Sequence, residues 1–221
     1  MLTYVAGADE AGRGCVIGPL VMCLFAIEPE RQGELKKLGA KDSKLLSASQ
    51  REQMAEQLPK LGPYELVEIS AEELTHAMER KISLNELEAR KLAEAITTLE
   101  GKGVCLTDVF VDSPDPIPAT YARRIQKQYI GSASIHSANK AESKWPTVAA
   151  ASILAKVRRD QRIEEIKKKV GYNFGSGYTS DPNTVQYLEK HHRDPKLQQY
   201  LRHRWETIKR LRGKQETLTH F

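Results

Sequence analysis

Apolar and polar positions alternate or recur along the chain in a way that divides it into strands first and helices last. Val5 to Asp9 is a short apolar run, Gly12-Arg13-Gly14 turns the chain, and Val16 to Ile27 is a longer apolar run, so the two runs predict a hairpin that opens a sheet. Ser47 with Gln50, Ser70 with Glu73 and Ser83 with Glu86 have capping-box spacing, which predicts helices starting near Ala48, Ala71 and Leu84. Pro59 should close the first of these, and Gly101 the third. Tyr64 to Ile69 and Val104 to Val111 read as strands, the second ending at Asp112 in the turn-rich Ser113-Pro114-Asp115-Pro116. Ala119 to Tyr129 reads as helix, Ser132 to Ser137 as extended chain, and Thr147 to Lys169 as one long helix. Asn173 to Thr179 is a loop. Asp181-Pro182 and Asp194-Pro195 each pair a cap with a first-turn proline and predict two more helices before a polar tail from Gly213 to Phe221. A hairpin, then alternating helices and strands, then helices alone predicts an α/β domain with a mixed sheet and a helical C-terminal segment.

Composition narrows the class. The 221 residues are 40% hydrophobic and 29% charged, which suits a soluble globular chain with its own core. The longest apolar run, Leu20 to Ile27, is too short to cross a bilayer and reads as a buried strand, and no export signal is visible, so no membrane partner and a cytoplasmic location are expected. Cys15, Cys23 and Cys105 are odd in number and form no C-x-x-C pair, which argues for buried thiols over disulfides or a zinc cluster. A net charge of +5 fits a polyanionic partner. Between Gln186 and Glu216 the basic residues Lys190, Arg193, Lys196, Arg202, Arg204, Lys209, Arg210, Arg212 and Lys214 outnumber the acids, and such a run commonly marks a solvated face.

Several chemistries are struck off by spacing: the chain has no dinucleotide fingerprint, P-loop, H-E-x-x-H or G-x-S-x-G string. What remains is acidic. Asp9 and Glu10 stand at the end of the first strand, Asp112 at the end of a central one and Glu142 before the long helix. Carboxylates at strand ends suit hard cations such as Mg²⁺ or Mn²⁺. Neighbouring residues of a regular strand face opposite ways, so Asp9 and Glu10 can share a site only if the strand ends or bends between them.

Seven blocks sharpen this reading. Asp9-Glu10-Ala11-Gly12-Arg13-Gly14 with Gly18-Pro19, Asp42-Ser43-Lys44, Val111-Asp112-Ser113, Lys140-Ala141-Glu142, Ala150 to Lys156 with Arg159-Asp160, Gly175-Ser176-Gly177-Tyr178, and Ser180-Asp181-Pro182 resemble ribonuclease HII, in that family's order. The length and helical C-terminal end look like the archaeal form. The resemblance implies a ribonuclease H-like fold, with a catalytic domain over 1–180, a helical segment over 181–212 packed on it and the tail over 213–221. It implies an endonuclease that cuts the RNA strand of RNA/DNA hybrids and single ribonucleotides embedded in duplex DNA, as a monomer.

Carried over by position, Asp9, Glu10 and Asp112 match the family's metal-binding acids; Glu142 stands where the family usually has aspartate. These four would hold two Mg²⁺ or Mn²⁺ ions across the scissile phosphate, giving 5′-phosphate and 3′-hydroxyl ends. Gly12, Arg13 and Gly14 match the turn that contacts a 2′-hydroxyl, and Tyr178 the tyrosine that stacks at the ribose–deoxyribose junction. Ser43, Lys44, Lys156 and Arg159 look like phosphate contacts, with Ser152 one helical turn before Lys156 in the same substrate-binding block. A noncatalytic hybrid-binding module, or another nuclease of the same fold such as a Holliday-junction nuclease or an integrase, are the rival readings. In the tail, Gln215, Leu218 and Phe221 resemble a sliding-clamp-binding peptide that lacks its second aromatic residue.

Overall fold

A five-stranded sheet in the order β3-β2-β1-β4-β5 organises the chain, as seen in a computed structural model that describes residues 2–39 and 46–218, the side chains of 214–218 excepted. The strands are β1 (Thr3–Ala11), β2 (Leu20–Ile27), β3 (Tyr64–Ile69), β4 (Cys105–Asp112) and β5 (Ser134–Ala138). The helices are α1 (Gln32–Leu38), α2 (Ala48–Leu61), α3 (Ala71–Glu79), α4 (Leu84–Gly101), α5 (Pro118–Gln128), α6 (Pro146–Val170), α7 (Pro182–His191), α8 (Pro195–Gln198) and α9 (Glu206–Leu218). β1 and β2 pair antiparallel, from Val5↔Ile27 to Ala11↔Val21, as a hairpin requires. β1 pairs parallel with β4, and β4 with β5, because α4 and α5 lie in the intervening connections. The sheet is therefore mixed and flanked by helices, as expected. All eight residues of β2 are buried, which is why its sequence is continuously apolar instead of alternating.

The capping signals place helix starts well. Ser47 accepts from the Gln50 amide while Gln50 returns a bond to the Ser47 amide, and Ser70 accepts from Glu73. The second strand is Leu20–Ile27, the run read as a buried strand; ahead of it Gly18 at φ +95° breaks the extended chain, and Cys15 and Ile17 bridge singly to Tyr178 and Leu201. Among the helices the structure departs from expectation. Pro59 lies inside α2, which runs on to Leu61. The true stop is Gly62, where a Cβ would lie 2.0 Å from the Ala26 carbonyl oxygen. α1, ended by Gly39 at φ +85°, had no capping signal. The Asp194-Pro195 helix is only four residues long, and a separate helix, α9, carries the backbone helically into the expected tail.

The chain divides into two compact units that interleave along the sequence. The first comprises Met1–Ala11, Val21–Val67 and Asn85–Val157, and the second Gly12–Leu20, Glu68–Leu84 and Arg158–Phe221. In the first, Val5, Phe25 and Ile27 pack with Leu35, Leu58, Ala150, Ile153 and Leu154. At Gly7 a Cβ would meet the backbone of Thr147 and Val148 at 2.2 Å, so the start of α6 lies directly on β1. In the second, Val16, Ile17, Ile163, Ile166, Phe174, Leu188, Leu201 and Ile208 form a core of their own.

Candidate active site

In the first unit, β1 and α6 bring acids together. β1 runs on through Asp9 and Glu10 on its β2 side but ends on its β4 side just before them. Its pairing with β4 stops at Ala8↔Val111 while its pairing with β2 continues to Ala11↔Val21, so the two acids stand on a strand end that is paired on one side only. The Glu10 amide donates to Asp9 Oδ1 at 2.8 Å. Asp112 closes β4, and its Oδ1 accepts from the Ala141 amide at 2.6 Å, which anchors the 3-10 turn Ala141–Ser143 that carries Glu142. That turn starts from Lys140 at φ +55°, a left-handed conformation uncommon outside glycine.

Gly7 lets α6 approach β1 closely enough for its inner face to meet these acids. Ser152 is fully buried and donates to Glu142 Oε2 at 3.2 Å; the same hydroxyl lies within hydrogen-bonding reach of Asp9. Lys156 Nζ donates to Ser152 Oγ at 2.8 Å and lies 3.5 Å from Glu142 Oε2. Asp9 is only 8% exposed, and burial pushes its carboxyl from 3.8 up to about 6. The Ser152 hydrogen bond and Lys156 pull it back, while the neighbouring charge of Asp112 adds to the rise. Among the described residues, no three acidic, histidine or cysteine side chains close around one point, and the Glu142 carboxylate is engaged by Ser152 and Lys156. The donor set nevertheless fits a hard divalent cation: its side chains offer carboxylate oxygens, and the Asp9 carboxyl is buried beside like charge that an added cation would relieve.

The second unit holds the glycine turn. Gly12 has φ +84°, the Cys15 amide donates to the Gly12 carbonyl at 3.2 Å, and a Cβ on Gly12 would lie 2.7 Å from the Pro19 carbonyl oxygen, so this position requires glycine. Cys15 bridges to Tyr178 and the Val16 amide donates to the Gly177 carbonyl at 2.8 Å, so the loop carrying Tyr178 is pinned to the turn. The Tyr178 ring lies 3.8 Å from where a Gly14 Cβ would stand, and burial pushes its phenol up to about 12, so it is uncharged.

Two residues expected on the substrate side, Arg159 and Ser152, lie in the interior. Arg159 is 5% exposed; it donates to Cys15 Sγ at 2.7 Å and to the Ser176 carbonyl, and its guanidinium lies 4.5 Å from the Tyr178 ring centre. Its Nη2 donates inward while Nη1 pairs with Asp160 Oδ1 at 2.9 Å, and the guanidinium braces Tyr178. Ser152, fully buried, serves the acids. Ser43, Lys44 and Phe221 lie outside the described residues, as do the side chains of Gln215 and Leu218. Sequence reasoning missed Cys15 and Arg202 as parts of the turn's support. Adjacency to Gly14 was the one available signal for the first, and the second was hidden in a basic run.

Comparison with known proteins shows the family. Residues 6–208 match the family model described as Ribonuclease HII. This chain belongs to the ribonuclease HII family. It is thereby a nuclease with ribonuclease H activity on RNA/DNA hybrids. Ribonuclease HII of Archaeoglobus fulgidus is 42% identical over 98% of this chain and 99% of its own, and that of Pyrococcus abyssi 40% identical over 95% and 92%. Ribonuclease H2 from Pyrococcus horikoshii superposes with a TM-score of 0.82 at 36% identity, covering 96% of this chain and 98% of that one. The A. fulgidus ribonuclease HII solved in complex with PCNA gives 0.83 at 41%, covering 94% and 96%. Bst-RNase HIII, 20% identical, shares the fold with a TM-score of 0.80, covering 96% of this chain and 70% of that one. The expected ribonuclease H-like fold is thus met.

Proposed function

We propose that this ribonuclease HII cuts RNA/DNA hybrids and also single ribonucleotides embedded in duplex DNA, with Asp9, Glu10, Asp112 and Glu142 holding two Mg²⁺ or Mn²⁺ ions. The observation that carries the reading is the buried Asp9 carboxyl, raised to about 6 beside Asp112 and linked through Ser152 to Glu142 and Lys156. When bound, such ions lower the pKa of an attacking water and offset charge on the leaving 3′ oxygen. The protein's own part is positional. Asp112 fixes the turn that presents Glu142, Ser152 joins the acids, and Lys156 balances their charge and offers a cation to a phosphate. Ser43 and Lys44 are assigned to phosphate contacts on their sequence blocks. Products carry 5′-phosphate and 3′-hydroxyl ends.

Selectivity is assigned to the Gly12-Arg13-Gly14 turn, whose backbone can approach a ribose because Gly12 and Gly14 carry no Cβ. Tyr178, a neutral ring braced by Arg159, stacks at the junction with the following deoxynucleotide. The A. fulgidus relative solved with PCNA supports a sliding clamp as partner, reached through Gln215, Leu218 and Phe221. We further assign the enzyme to the cytoplasm as a monomer, with a catalytic domain over 1–180 and a helical segment over 181–212; among the described residues no helix is long and apolar enough to cross a membrane.

The test uses three duplexes of one sequence: all-deoxy, one embedded ribonucleotide, and a full RNA/DNA hybrid, each with Mg²⁺ or Mn²⁺. The second and third are cut and the first is left intact. Hybrid binding with no cleavage in either metal would return the noncatalytic reading.

A further inference from the structure

The basic run of the C-terminal segment contains one residue unlike its neighbours. Arg202 is fully buried, and its guanidinium is committed to main-chain carbonyls of a single loop. Its Nη2 donates to the Gly12 carbonyl at 2.7 Å, Nη1 to the Arg13 carbonyl at 2.8 Å and Nε to the Gly18 carbonyl at 3.0 Å. The Trp205 ring centre lies 5.0 Å from the guanidinium carbon. The backbone around it is tied to the same loop: the Arg202 amide donates to the Val16 carbonyl at 3.0 Å, and the Gly18 amide to the Tyr200 carbonyl at 2.9 Å.

Burying an arginine is costly unless its charge is met, and here three carbonyl dipoles help to meet it. That interaction reaches through the peptide group. The Gly12 carbonyl shares its amide plane with the Arg13 N–H, and the Arg13 carbonyl shares its plane with the Gly14 N–H. A cation hydrogen-bonded to a peptide oxygen draws electron density toward it and strengthens the N–H on the far side as a donor. The fork also fixes the rotation of both peptide planes, since two parallel N–H groups of a rigid guanidinium leave two adjacent carbonyls little freedom.

We propose that Arg202 is the positioning residue of the glycine turn, aiming and strengthening the Gly14 amide as a hydrogen-bond donor to the ribose 2′ oxygen. The proposal deepens the reading of that turn as the ribose sensor and rests on it. Its consequence is specific. Losing Arg202 removes discrimination at the sugar, whereas duplex affinity that comes from phosphate contacts elsewhere is untouched.

The experiment measures two quantities for the Mg²⁺-loaded parent, Arg202→Lys and Arg202→Met. These are kcat/KM on a duplex with one ribonucleotide, and the inhibition constant of the all-deoxy duplex of the same sequence. Lysine keeps the charge but cannot span three carbonyls, so Arg202→Lys loses about tenfold in kcat/KM and Arg202→Met about a hundredfold. The all-deoxy inhibition constant stays within about twofold in both. A residue that merely held the fold together would move both quantities in parallel, and that result, or an unchanged kcat/KM in either variant, overturns the proposal. Should Arg202→Met fail to fold, Arg202→Lys with a parent-like circular dichroism spectrum decides by the same ratio. A parent enzyme that cuts the all-deoxy duplex as fast as the ribonucleotide duplex would sink the ribose-sensor reading itself, before any variant is compared.

Discussion

Removing the charge at Asp9 should stabilise the metal-free protein, and the structure says by how much and at which pH. The carboxyl is 8% exposed and its pKa is raised from 3.8 to about 6, chiefly by burial, so solvent screening does little to reduce the effect. In the unfolded chain the group ionises near 3.8. Between there and about pH 6 the native state holds a proton that the unfolded state has lost, so stability falls as pH rises across that window and stays low above it. The displacement corresponds to about 3 kcal/mol at neutral pH. Asp9→Asn recovers this in buffer with a chelator, a rise in Tm of about 6–12 °C for a chain of this length. Thermal or urea unfolding followed by circular dichroism at several values from pH 3.5 to 8 is the assay. The gain should be absent at the acid end and complete by pH 7. Adding Mg²⁺ or Mn²⁺ should raise the parent's Tm more than the variant's, since the ion relieves the charge that the substitution has already removed. An Asp9→Asn variant no more stable than the parent at pH 8, or equally stabilised at pH 3.5, would refute the reasoning.

Glu142→Gln should cut the cleavage rate at least about a hundredfold while Glu142→Asp keeps activity, as steady-state rates on a single-ribonucleotide duplex would show; a fully active Gln variant removes this position from the site. Gly7→Ala should prevent folding or cost several kcal/mol, because its methyl group would sit 2.2 Å from the α6 backbone, and expression with chemical denaturation checks it. Deleting Thr217 to Phe221 should abolish binding to the cognate sliding clamp, measured by calorimetry, and leave cleavage of short duplexes unchanged; nuclease activity that collapses with the deletion would make the tail structural.

The hairpin, the strand ending at Asp112 and the starts of α2, α3 and α4 were legible because each is set by a local signal: an apolar run, a turn, or a serine three residues before a glutamate or glutamine. Asp9, Asp112 and Glu142 were legible as candidates for the same reason, standing at the ends of elements. Their convergence was less so. It depends on Gly7 admitting α6 onto β1, and on the Asp112 side chain holding the Ala141 amide. Both are contacts between residues distant in the chain.

What the sequence by itself determined is the set of elements and the acids placed at their ends, since backbone propensity, capping and hydrophobic periodicity act over a few residues. What only the tertiary structure decided is the duty of each polar residue once buried. Along the chain Arg159 reads as a phosphate contact, Ser152 as part of a substrate-binding block and Arg202 as one member of a basic run. In the fold they are interior struts for Tyr178, for the acids and for the glycine turn. The physical reason is that the cost of burying a polar group is met by partners anywhere in the chain, and Arg202 finds its carbonyls at Gly12, Arg13 and Gly18. No local pattern encodes such a choice, because the same arginine is equally at home in water.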